Sequence, residues 1–555
     1  MTNTRGLLPE SKLPDLLLAT IGDFGRWQCR TSILMALLKL PIAWFQLGIV
    51  FLAPPTEFWC RQPHDFSHLS VEDWKEFIKP ANSQLPLAHR CYMKNVEHED
   101  RLGNLSVACK WGYDYEKTVM RRSIISEWDF VCGKEFYADL VQITFMSGVL
   151  VGSLVFGLLA DRYGRKKILI ICIILQFTFG IASAISPMYF VFLGSRFLLA
   201  LANGGTVIIS FVLCMEVVSG KWRTIIPILY QIPFGIGITI MAVLAYFIRE
   251  WRELQLVLSS LSAVFLVYIW FLPESPRWLV ATGRKEKAVK TLEKALRFNK
   301  SRENNIANIL NKYTSSEKKV TPKFSTVFKT AALRSRTFFL SLQWLLTGII
   351  FHAFMQYVGQ IGKNLFLNVT LGGLVTIPGA ILCILIIQKV GRKWTIACSQ
   401  VLTSFCLIII YFIPLNAYVW DWPRIIFAGA VIITISIATN TLFLFTGELY
   451  PTIIRNAGVG SCVVFFKVGA IIAPLILTLI TVASYLPLLI MSLLALLQAV
   501  VIYPLPESKG CQLPDTITDI EMRAFKKRGD ANIVEPQQQQ KLCVETEDGN
   551  CNVIS

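Results

Sequence analysis

Gly157-Leu158-Leu159-Ala160-Asp161-Arg162-Tyr163-Gly164-Arg165-Lys166 is a polar mark between two long apolar runs, and the chain repeats it. The second copy reads Gln388-Lys389-Val390-Gly391-Arg392-Lys393, with its glycine offset by 391 − 164 = 227 residues. Two further marks recur at nearly the same interval. Glu216 with Arg223 returns as Glu448 with Arg455, offset by 232, and Leu272-Pro273-Glu274-Ser275 returns as Leu505-Pro506-Glu507-Ser508, offset by 233. Polar marks repeated at a near-constant interval indicate a duplicated membrane unit, the plan of many secondary transporters.

The composition fits a chain solvated by lipid. Of 555 residues, 54% are hydrophobic and 16% charged. The charges cluster between twelve apolar runs, which begin near Thr31, Ala138, Ile168, Tyr189, Thr224, Leu254, Phe338, Val369, Thr395, Pro423, Ala457 and Tyr485. Each run is about 20 residues long, enough for a helix to cross ~30 Å of hydrocarbon. The expected order is a tail (1–30), one span, a large loop (54–137) and five more spans. A linker (274–337), six further spans (338–505) and a second tail (506–555) follow. Residues 1–30 carry charges and lack an apolar core, so they do not read as a cleaved signal peptide. The second tail is mixed polar sequence with Gln537 to Gln540, and is expected to be disordered.

The net charge of +17 does not point to nucleic acid, because its distribution is that of a membrane protein. The stretch 273–337 holds 16 Lys/Arg against 5 acidic residues, whereas 54–137 holds 11 against 13. Arg162, Arg165, Lys166, Lys167, Lys221, Arg223, Arg392, Lys393 and Arg455 fall in short loops on one side. Basic short loops mark the cytoplasmic side, so both termini are expected there and loop 54–137 faces outward. That loop carries Cys60, Cys91, Cys109, Cys132 and the sequon Asn104-Leu105-Ser106. An oxidising compartment favours two disulfides, with all three pairings open, and glycosylation at Asn104. Asn368-Val369-Thr370 is a weaker sequon close to the membrane, and Asn299-Lys300-Ser301 falls on the cytoplasmic side. In the linker, Ala288, Leu292, Ala295 and Leu296 share one face of a short helix on the cytoplasmic surface. No cysteine–histidine cluster, phosphate loop or nucleophile–base pairing is present, so neither a metal, a cofactor nor an enzyme activity is expected.

The segment 157–167 resembles the signature between helices two and three of the major facilitator superfamily. The resemblance implies an all-α membrane protein of twelve transmembrane helices in two pseudo-symmetric six-helix bundles, with cytoplasmic termini. It narrows with Gly22-Asp23-Phe24-Gly25, Trp128-Asp129-Phe130-Val131-Cys132, Pro273-Glu274-Ser275-Pro276-Arg277-Trp278-Leu279 and Glu448-Leu449-Tyr450-Pro451-Thr452. Together with the four-cysteine loop, these look like the organic cation, carnitine and organic anion transporter family over residues 22–520. Alternating-access transport of small organic ions at the plasma membrane is what this implies. Asp161, Arg162 and Arg165, Glu216 with Arg223, Arg392, and Glu448 with Arg455 are the implied gating groups, with Arg165 and Lys166 clamping the two bundles together when the inward side is closed. Gln388 replaces Asp161 in the second copy, which weakens that clamp.

Lys467 is the candidate that sets substrate charge. It lies ten residues past Ala457, where the run begins, or ~15 Å into its helix, at mid-membrane. The cationic branch of the resembled family carries an acid in this stretch, and the anion and carnitine branches carry Arg. Burying such a charge costs roughly 2.5–3.5 kcal/mol or more, so it faces a cavity and seeks a partner. No Asp or Glu interrupts the interior of any run, which leaves a substrate carboxylate as that partner. Lys39 reads instead as a cation near the cytoplasmic end of helix one that snorkels to the interface. Trp344, Phe351, His352 and Phe354 on helix seven, Tyr230 and Gln231 on helix five, and Phe211 on helix four are expected to complete the pocket. The expected partners are thus a small organic ion and the lipid bilayer, with the oligomeric state left open. Anions or carnitine-like zwitterions are favoured over cations. An organic cation transporter, a sugar or polyol porter, and a receptor or scaffold without transport stay open as alternatives.

Overall fold

Apolar runs bounded by glycine, proline and charge fold into helices because lipid leaves backbone groups no other partner. A computed structural model describes residues 22, 24–79, 91–94, 106–220, 222–300, 330–414, 417–451 and 454–509. Its membrane helices are α1 (Arg26–Leu52), α2 (Phe136–Tyr163), α3 (Arg165–Ile185), α4 (Tyr189–Glu216), α5 (Ile225–Phe247) and α6 (Trp251–Phe271) in the first half. The second half holds α7 (Ala331–Gln360), α8 (Leu365–Val390), α9 (Arg392–Phe412), α10 (Val419–Leu449), α11 (Gly458–Ile480) and α12 (Leu486–Val501). Eleven are long and apolar enough to cross a membrane, and α12 is a shorter apolar helix. The twelve-helix expectation is met. Large apolar side chains such as Leu158, Phe247, Trp270, Phe405, Phe412 and Val500 are exposed, as a surface bathed in acyl chains requires.

The duplication is visible in the packing. In the first half α1 packs on α5, α2 on α4, and α3 on α4 and α6; in the second, α7 packs on α11, α8 on α10, and α9 on α10 and α12. The bundles meet through α5 against α8 and α2 against α11, contacts that exchange under the same two-fold relation. The most apolar stretches of α1 and α7 are both 72% buried and those of α4 and α10 both 61%, against 33–44% in the other long helices. These four helices therefore form the inner wall.

Loop 54–137 enters one face, the loop face. Among its described residues, β1 (Phe58–Cys60) pairs antiparallel with β4 (Tyr113–Tyr115), and β2 (Tyr92–Lys94) with β3 (Ser106–Ala108). Two disulfides, Cys60–Cys109 and Cys91–Cys132, select one of the three open pairings. Cys60, Trp74, Ile78 and Met93 make a small separate core there. The end of the loop is bolted to the first bundle by Glu127, which pairs with Arg252 at 2.6 Å and accepts from Trp251 Nε1 at 2.8 Å. Asn104 lies outside the described residues. Asn368 is buried, and its amide donates to the Gly362 carbonyl at 3.1 Å, so that weaker sequon is closed to modification here.

On the opposite face the linker forms helices Pro276–Ala281 and Lys285–Asn299. Ala288, Leu292, Ala295 and Leu296 are buried as the spacing predicts, and Leu292, Ala295 and Leu296 join the core of the first bundle. Asn299 fastens the end of this helix to α1 by accepting from the Trp27 N–H at 2.8 Å.

Candidate substrate site

Prolines shape the centre of the molecule. A proline ring supplies no N–H and clashes with the carbonyl four residues back. Pro41 accordingly interrupts α1 at Leu38, and Pro233 interrupts α5 at Tyr230 and Gln231. The two breaks face each other. Lys39 is only 7% exposed and its Nζ sits 4.8 Å from the Tyr230 ring centre and 5.9 Å from that of Phe234. This corrects the snorkelling reading: Lys39 points into the protein, because the break turns that part of α1 toward α5.

From there a circuit of aromatic rings crosses both bundles. Tyr230 meets Phe211 at 5.7 Å, Phe211 meets Phe443 at 6.0 Å, and Phe443 meets Trp344 at 4.5 Å. Trp344 meets Phe466 at 5.8 Å, Phe466 meets Phe351 at 6.0 Å, and Phe351 returns to Phe234 at 6.2 Å. Lys39 closes the circuit between Phe234 and Tyr230. Lys467, also 7% exposed, holds its Nζ 5.4 Å from the Phe466 ring, within electrostatic range of Lys39 and His352. His352 is fully buried, 5.4 Å from Phe466, and both its ring nitrogens lack a hydrogen-bond partner. Such a group, held in a low-dielectric interior, is costly unless a ligand or water completes it.

The candidate residues thus divide. Lys467, Tyr230, Phe211, Trp344, Phe351 and His352 come together. Gln231 is half-buried at the break in α5, and Phe354 is packed into the apolar core of the loop-face half. Lys39, Phe234, Phe443 and Phe466 were not chosen from sequence. The repeat interval could have found three of them, since Phe211 and Phe443 are separated by 232 residues, as are Phe234 and Phe466, matching Glu216 and Glu448. Phe211 and Phe443 touch each other, so the pseudo-two-fold axis runs through the circuit.

The charged marks sit at the face opposite the loop. Gly164 and Gly391 adopt φ of 118° and 101°, a turn open to glycine, and each starts a new helix. Arg165 pairs with Asp161 at 2.9 Å and Glu216 at 3.1 Å, while its backbone N–H and that of Lys166 donate to Glu274. The second copy repeats this: Arg392 pairs with Glu448 at 3.0 Å, and the N–H groups of Arg392 and Lys393 donate to Glu507. Burial would raise the Glu507 carboxyl, but backbone N–H groups of Arg392, Lys509, Ser508 and Lys393 hold it below its usual range. These contacts lie within one bundle. With the loop face shut, Arg165 pairs inside the first bundle, because the glycine corner lays it against the end of α4. Arg162 sits over the Tyr163 ring, Arg223 lies just before α5, and the side chain of Arg455 is outside the described residues.

Comparison with known proteins places this architecture. The family described as sugar (and other) transporter matches residues 112–515. The chain is 30% identical to the organic cation transporter-like protein of Drosophila melanogaster, over 92% of this chain and 93% of that one. It is 32% identical to solute carrier family 22 member 3 of Rattus norvegicus, covering 91% and 95%, and 32% identical to organic anion transporter 3 of Sus scrofa, covering 91% and 93%. Among solved structures, the inward-open xylose transporter XylE of E. coli aligns with a TM-score of 0.60 at 15% identity, over 89% of this chain and 99% of that one, which speaks for the fold alone. The chain is a major facilitator superfamily transporter of the organic cation and organic anion transporter family.

Proposed function

We propose that this transporter works at the plasma membrane by alternating access and favours organic anions and carnitine-like zwitterions over simple cations. One observation carries the reading: Lys467 is buried at the aromatic circuit, and no described carboxylate lies against it. Among described residues the buried acid within a membrane helix is Asp421, at the loop-face start of α10. A substrate carboxylate gains a partner at Lys467 and recovers part of the desolvation cost of the ammonium.

The names of the relatives include both cation and anion transporters, so the sign of the substrate rests on this chain's own residues. Aromatic faces are the usual seat for an ammonium ligand. Here the Tyr230, Phe234 and Phe466 rings already carry the ammonium groups of Lys39 and Lys467. An incoming cation would have to displace a like charge. Positive-charge bias in the short loops supports a cytoplasmic side for the helix-capping marks and the linker. The Arg165–Glu216 and Arg392–Glu448 pairs then brace each bundle as a body that rocks against the other.

Uptake in oocytes expressing the full chain tests the reading, with one organic anion, carnitine and one permanent cation as probes. Lys467→Ala should cut anion or carnitine uptake about tenfold or more at equal surface expression, the equivalent of ~1.4 kcal/mol. Lys467→Arg should largely preserve it. Robust wild-type uptake of the cation, insensitive to Lys467→Ala and to competing carboxylates, would return the chain to cation transport.

A further inference from the structure

Lys39 enters the account above only as an occupant of the ring faces, yet it is as buried as Lys467 and lies on the other bundle. Its Nζ contacts the Tyr230 and Phe234 rings, and no described carboxylate pairs with it. The path from one ammonium to the other runs along Phe234, Phe351 and Phe466, with successive ring separations of 6.2 and 6.0 Å. His352, with both nitrogens unpartnered, stands beside the Lys467 end. The centre is therefore an apolar strip with a fixed positive charge at each end, one from each bundle.

We propose that Lys39 is a second specificity-determining residue, and that the preferred ligand is an apolar body carrying an anionic group at each of two ends, bridging the bundles. This rests on the reading of Lys467 as an anion site and adds the number of charges to their sign. Two buried like charges repel through a medium of low dielectric. A monoanion relieves one of them and leaves the other unpartnered, whereas a dianion relieves both. Lys39→Gln removes the second charge while keeping a side chain of similar reach.

Ligand-induced thermal stabilisation of the detergent-purified full chain tests this with two ring acids of similar size: terephthalate, with carboxylates at opposite ends, and p-toluate, with one. Wild-type protein should bind terephthalate about tenfold more tightly. Lys39→Gln should weaken terephthalate far more than p-toluate and bring the ratio close to one, and Lys39→Arg should restore it. Lys467→Gln should weaken both acids. A wild-type ratio of one or less, which needs no variant to fold, would overturn the proposal. A ratio that survives in Lys39→Gln, or an equal loss of both acids there, would overturn it too. Undiminished binding of both acids by Lys467→Gln would instead overturn the anion reading on which it rests.

Discussion

Glu507 shows how one carboxylate caps a helix start whose N–H groups lack intrahelical partners. Its oxygens accept the first two N–H groups of α9, from Arg392 and Lys393, and Glu274 does the same for Arg165 and Lys166 at the start of α3. Helix N-termini favour negative charge because their N–H groups lack intrahelical partners. The sign of the pH effect follows from the lowered Glu507 pKa. A carboxyl depressed by folding stabilises the fold above its unfolded value, near 4.3, and that contribution is lost as pH falls through the folded value. Glu507→Gln should therefore lower the melting temperature at neutral pH, and the gap from wild type should close on acidification below about pH 4. A gap of equal size at both pH values would mean that shape, and not charge, is what Glu507 supplies. The Leu-Pro-Glu-Ser repeat was visible in the sequence, but its capping role was not, since it depends on a chain returning from more than a hundred residues away. Lys39 departs from its snorkelling reading for a related reason: a continuous helix would let it reach the interface, and Pro41 breaks that helix.

Helices carry the part of the fold that was most legible. A run of twenty apolar residues has one stable fate in lipid, so all twelve helices were readable, and the spacing of Ala288, Leu292, Ala295 and Leu296 marked the buried face of the linker helix. The two β-ribbons and the disulfide pairing in the loop were not legible, because short strands there are fixed by partners distant in sequence. Which aromatic rings share the centre was only half legible. Composition selected Phe354, which packs into the core, and passed over Phe443, which pairs with its own repeat partner Phe211. The contact between α5 and α8 turns on a reciprocal close approach. A Cβ on Gly373 would stand 2.6 Å from the Gly235 carbonyl, and one on Gly235 would stand 2.5 Å from the Gly373 carbonyl. No rotamer relieves a clash with backbone. Gly373→Val should therefore push the bundles apart, cost roughly 1–3 kcal/mol as overpacking does, and lower maximal uptake. Normal melting temperature and uptake in that variant would show that the bundles do not depend on a close approach of α5 and α8.

Across the whole molecule, the two faces differ in how the bundles are joined. Toward the loop face one apolar core runs through both: Trp44, Phe51, Phe145 and Phe192 from the first bundle pack in the same cluster as Ile350, Phe354, Tyr357 and Leu365 from the second. Toward the opposite face the cores are separate, one built on Trp27, Leu169, Leu213 and Tyr268, the other on Leu333, Phe445, Tyr450 and Ile502. A narrow apolar strip of Ile228 against Ala380, Cys383, Ile387 and Ile437 is the bridge of α5 to α8 and α10 there. The structure is thus shut at the loop face, where the disulfide-linked cap is fastened to the first bundle through Glu127 and Arg252. Alternating access requires that the joined core come apart when the loop face opens. Phe51 of α1 stacks on Phe366 of α8 across that seam, with ring centres 5.6 Å apart. Replacing both by cysteine and bridging them with a short, membrane-permeant bis-thiosulfonate should hold the seam shut. Uptake should then stop and return on mild reduction, while Phe51→Cys and Phe366→Cys alone, and wild type with its native thiols, stay insensitive to the reagent. Unimpaired uptake by the bridged protein would mean that the loop face does not open along α1 and α8, and that the two bundles move about a different seam.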